Sequence, residues 1–104
     1  MTLTVMERML LLGALPKEGD ITTIKILHDL KQDLSLPEQE LKDLEMKQVP
    51  GGGLKWKREK EVDKEVEFGP KALEIATDGL KELNKQKKLS EDHLSLWGKF
   101  CPDE

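Results

Sequence analysis

A single cysteine, Cys101, stands among 104 residues, so no disulfide can close within the chain and a disulfide-stapled secreted scaffold is excluded. A reducing cytoplasm is the expected location. Aromatic residues are scarce, at 4% with no tyrosine, which leaves the core to be built from aliphatic side chains. Long apolar runs are missing too. The most apolar stretch, Met9-Leu10-Leu11-Leu12, follows the charged pair Glu7-Arg8 and no basic segment precedes it. It matches neither a signal peptide nor the roughly 18 or more apolar residues of a membrane span. Charge of one sign is not in strong excess either. With 17 basic and 21 acidic side chains the net charge is −4, so long-range attraction to nucleic-acid phosphates or anionic lipid is not built in.

The usual catalytic and ligand-binding signatures are also absent. Catalysis needs a convergent set, such as a nucleophile beside a base or ligands at metal spacing. The chain has two histidines, His28 and His93, and no His-x-x-x-His, Cys-x-x-Cys, Gly-x-x-x-x-Gly-Lys or Gly-x-Ser-x-Gly segment. His93 and Cys101 fall about two helical turns apart, too far for one metal ion without further ligands. His93 reads as a surface residue, and His28 beside Asp29 as a helix-surface pair. Gly51-Gly52-Gly53 leads into a strand pattern rather than a helix, the wrong context for a phosphate loop, and reads as a flexible entry to that strand. No catalytic residue, cofactor site or metal site is expected.

What is abundant is charge, 37% of the chain against a usual value of about 25%, and a hydrophobic fraction of 37%. At this length that fraction can fill a core unaided, and the chain is expected to form one domain over residues 1–104. The apolar spacing is mostly helical. Thr4 and Glu7 have capping-box spacing before a first helix that Gly13 and Pro16 close. Its apolar residues surround most of the circumference, as in a central helix. Asp20 caps a second helix with a stripe of Ile24, Leu27, Leu30 and Leu34. Ser35-Leu36-Pro37-Glu38 predicts a capped third helix with Leu41 and Leu44 inward.

The period then changes to two. Leu54 and Trp56, and then Val62, Val66 and Phe68, alternate with charged residues, predicting a two-stranded ribbon turning around residues 58–61, with residues 45–49 available as a third strand. Trp56 is expected to roof the core. Gly69-Pro70 opens a fourth helix with Leu73, Ala76, Leu80 and Leu83 in one stripe. Ser90 caps a fifth that turns Leu94, Trp97 and Phe100 inward, and the tail from Pro102 is expected to fray. The fold class is therefore helix-rich α+β, with a winged-helix-like order of three helices, a β-ribbon and two C-terminal helices.

A winged helix that binds DNA would use its third helix for the groove and its ribbon for phosphates. The charges oppose this. In residues 36–46, Glu38, Glu40, Asp43 and Glu45 face only Lys42, a net of −3, and residues 54–68 are close to neutral. Phosphate contacts, if made, would fall to Lys55, Lys57, Arg58 and Lys60. Nucleic acid is therefore the second choice of partner, after another protein or a second copy of this chain, and the membrane is none.

The first helix, Leu36-Pro37-Glu38-Gln39-Glu40-Leu41, Leu54-Lys55-Trp56 and Lys88-Leu89-Ser90-Glu91-Asp92-His93-Leu94 together resemble small phage- and prophage-encoded proteins of similar length. That resemblance implies a viral accessory or assembly role and transfers no functional residues. The function expected is a non-enzymatic protein-interaction module.

Overall fold

The computed structural model describes residues 1–102; the part of the expected frayed tail beyond Pro102 lies outside the described residues. The fold is helix-rich α+β. Strand β1 (Thr2–Leu3) leads into α1 (Val5–Ala14), α2 (Ile21–Leu34) and α3 (Glu38–Leu44). Strands β2 (Lys47–Gln48) and β3 (Leu54–Lys55), a 3₁₀ turn at Arg58–Lys60 and β4 (Lys64–Glu65) follow, then α4 (Pro70–Lys85), a second 3₁₀ turn at Glu91–His93 and α5 (Leu94–Phe100).

Helix starts follow local hydrogen-bond chemistry. The Glu7 amide donates to Thr4 Oγ1 (3.1 Å) while the Thr4 amide donates to Glu7 Oε1 (2.9 Å), so the capping box satisfies two donors that the first turn would leave unpaired. Asp20 accepts from the Thr23 amide at 2.8 Å and caps α2. The third helix departs from expectation. Pro37, not Ser35, is its cap, with no side-chain cap bond; Ser35 instead closes α2, its amide donating to the Lys31 carbonyl and its hydroxyl to the Gln32 carbonyl (3.0 Å).

Helix α1 packs against α2, α4 and α5, the central position its apolar circumference predicts. One cluster gathers Leu11, Leu27, Leu30, Leu34, Leu80 and Leu96 with Leu3, Val66, Ile75 and Phe100. Each leucine so buried contributes roughly 1.5–3 kcal/mol. Gly79 permits a close approach of α4 to the end of α1, since a Cβ there would lie 2.4 Å from the Ala14 carbonyl oxygen. The stripes of α2 and α4 begin a turn later than expected, for Ile24 and Leu73 remain exposed.

The predicted ribbon is not formed, and strand pairing departs furthest from expectation. β2 pairs antiparallel with β3, and β4 pairs instead with β1 at the other end of the sequence. The glycine triplet causes the first pairing: Gly51, Gly52 and Gly53 have φ of 89°, 91° and 97°, a region closed to most other residues. They reverse the chain tightly enough for the Val49 amide to reach the Gly53 carbonyl at 3.2 Å. The second pairing buries Leu3 and Val66 in the core and leaves Val62 exposed. The 3₁₀ turn at Arg58–Lys60 therefore connects two separate sheets: the expected order of three helices, short strands and two helices is present, but the two predicted ribbon strands do not pair with each other.

Candidate functional site

The second 3₁₀ turn decides which side chains the C-terminal end of the molecule presents. Ser90 caps it in a reciprocal box in which His93 takes the place usually held by Glu or Gln. His93 Nδ1 accepts from the Ser90 amide at 3.0 Å and lies 3.1 Å from the Ser90 hydroxyl. Accepting through Nδ1 puts the proton of the neutral ring on Nε2. His93 is thus buried, contrary to the surface position expected for it, and its visible task is to hold this turn.

Because residues 91–93 wind at three residues per turn, the apolar phase shifts where α5 begins. Leu96 and Phe100 face the core in place of the expected Leu94–Trp97–Phe100 stripe, and Phe100 meets Phe68 edge-on with ring centroids 5.3 Å apart. Trp97 is half-buried against the core, and Leu94 is turned out to 72% exposure. Leu94 and Trp97 line a groove of about 380 Å³ with Leu89, Ser90, His93 and Asn84. An exposed leucine and a half-buried tryptophan thus give this recess an apolar wall open to solvent.

A second cleft, about 500 Å³, opens between α3 and the chain preceding β4, with Arg8, Glu40, Asp43, Leu44, Lys60 and Asp63 among its lining. At its base lies a charge pair that the sequence did not announce. The Arg8 side chain, 1% exposed, holds Glu40 through both terminal nitrogens, Nη1 donating to Oε1 at 3.1 Å and Nη2 to Oε2. Glu7, its neighbour in sequence, is 2% exposed and receives the Lys99 ammonium at 2.7 Å, while Lys99 also donates to the Thr2 carbonyl. Burial pushes the Glu7 carboxyl up. Lys99, the Thr4 amide and Ser95 outweigh it and hold the group below its ordinary value. Glu7 Oε2 and Arg8 Nε have no hydrogen bond of regular geometry. The only hint in the sequence is that two charges interrupt an otherwise apolar helix.

The four basic residues assigned to phosphate contact do not form one set: Lys55 and Lys57 line a common recess, while Arg58 and Lys60 lie outside its lining. Lys55 lies on β3. Lys57 is ion-paired with Glu45, which raises the lysine's pKa and lowers the carboxylate's. Arg58 covers the Trp56 ring at 4.8 Å from its centroid, and Lys60 lines the Arg8 cleft. Trp56 does not roof the core: its indole N–H donates to Glu61 Oε1 at 2.9 Å, and the ring remains half-buried outside the main cluster. His28 is exposed, with Gln32 at 3.2 Å. Among the described residues no group of three His, Cys, Asp or Glu could hold a metal ion, and no helix is long and apolar enough to cross a membrane.

Compared with known family models, curated proteins and solved structures, the chain matches none.

Proposed function

We propose that this chain is a non-enzymatic protein-interaction module whose contact surface is the groove between the end of α4 and α5. One observation carries the reading: Leu94, 72% exposed, stands beside half-buried Trp97 in a recess, on a surface otherwise dense in charge. A partner that inserts an apolar side chain there removes both residues from water, and such buried central anchors supply most of the energy of an interface. The partner is another protein or a second copy of this chain, met in the cytoplasm. An accessory or assembly role in a phage fits the resemblance of the sequence to small phage proteins.

The alternative, a nucleic-acid binder using Lys55, Lys57, Arg58 and Lys60, is weakened by the separation of Lys60 from the recess of Lys55 and Lys57 and by the engagement of Lys57 and Arg58 with Glu45 and Trp56. A titration separates the two. Duplex DNA and single-stranded RNA should bind more weakly than about 10 µM near physiological salt, within the non-specific range. Four phosphate contacts would instead give a slope of roughly −3.6 in log affinity against log salt. Submicromolar binding with that slope, abolished by Lys55→Glu and Lys57→Glu, would establish the alternative.

A further inference from the structure

The β2–β3 ribbon contains an arrangement that folding alone disfavours. Its register puts Lys47 directly opposite Lys55, where Cβ atoms are about 4.5–5.5 Å apart and like charges repel. Both residues are exposed, and both line one recess of about 220 Å³ together with Glu45, Trp56 and Lys57. The acid in that recess is already taken, because Glu45 pairs with Lys57. Lys47 and Lys55 thus line one small recess whose one acidic lining residue, Glu45, is ion-paired with Lys57 and feels the charge of Lys47 only at longer range. The surrounding chain strengthens the same field: from residue 47 to residue 60, Lys47, Lys55, Lys57, Arg58 and Lys60 are opposed by Glu59 alone, on a molecule whose net charge is −4.

We propose that this recess binds a dianionic phosphate group, either a free phosphate or a phosphate monoester. Two lysines paired across opposite strands of one recess can answer one group carrying about −1.5 to −2 at neutral pH. Lysine serves phosphate as a compact point charge that needs no planar, two-pronged geometry. A monoanionic carboxylate or a single phosphodiester leaves one of the two charges unanswered. The site is separate from the α5 groove, so neither depends on the other.

The test is a ¹H–¹⁵N NMR titration of the full chain, including the lysine ammonium signals, with inorganic phosphate, O-phosphoserine and a short oligothymidylate at constant ionic strength. Saturable shifts centred on Lys47 and Lys55 are expected with the first two, and not with chloride. Tighter binding of phosphoserine would identify a phosphorylated side chain as the source, and equal or weaker binding a free ion. Lys47→Gln and Lys55→Gln should each weaken binding about tenfold, the loss expected for one charge-assisted hydrogen bond, and Lys85→Gln should leave it unchanged. Lowering the pH to about 5, where the group becomes largely monoanionic, should weaken it about tenfold as well. Shifts that are unsaturable, spread over the surface or unaltered in both ribbon variants would overturn the proposal. So would saturation by oligothymidylate at lower concentration than by either monoester-type ligand, which would assign the lysines to a phosphodiester backbone.

Discussion

Arg8 and Glu40 join the first turns of α1 and α3 through a two-pronged ion pair whose arginine is removed from water. Removing Glu40 strands a buried guanidinium whose Nε already lacks a partner. Glu40→Ala is therefore expected to cost about 3 kcal/mol or more in urea unfolding. Replacing both partners by apolar residues removes the desolvation cost along with the attraction. Arg8→Met with Glu40→Leu should recover stability to within about 1 kcal/mol of the parent. A double variant as unstable as the single one would show that the pair's contribution lies in something other than balanced burial.

The adjacent Glu7 gives stability a defined pH dependence. Its carboxyl is held below the ordinary value in the folded chain, so the unfolded chain takes up a proton at higher pH than the folded one. The stabilisation is complete above the unfolded pKa and is lost as pH falls through the folded pKa. Glu7→Gln should be less stable than the parent near pH 7, and the gap should narrow steadily below about pH 4. A gap independent of pH would assign the loss to packing or to the cap rather than to the charge.

Gly79 and Gly98 are both helical, yet substitution should affect them in opposite directions. A Cβ at Gly79 meets the Ala14 carbonyl, whereas one at Gly98 meets nothing within 4 Å. Gly79→Ala should cost about 1–3 kcal/mol through forced separation of α1 and α4, more than the helix propensity it gains. Gly98→Ala should stabilise by about 0.5–1 kcal/mol. Thermal melts of the two variants check both signs.

The legible part of the fold is what nearby residues determine together. Thr4, Glu7 and Asp20 were readable because each makes its cap bond within three residues. Leu27, Leu30, Leu34 and Leu80 were readable from spacing alone. Pairing of β1 with β4 was not, because strands of two residues have almost no pattern and their partners are more than sixty positions apart. The groove was hidden by phase: a single 3₁₀ turn exchanges Leu94 for Leu96 on the inward face, and no residue type announces that exchange. Burial of Arg8 depended on Glu40, thirty-two residues away.

The groove is tested most directly by installing photoreactive benzoylphenylalanine in place of Leu94, or of Lys55 on the ribbon, and irradiating the intact protein in the organism that produces it. The expected result is one discrete protein adduct at position 94, absent when Trp97→Ala removes the other apolar wall, and no nucleic-acid adduct at position 55. Nucleic-acid adducts at position 55 with no protein adduct at position 94 would contradict the interaction-module reading.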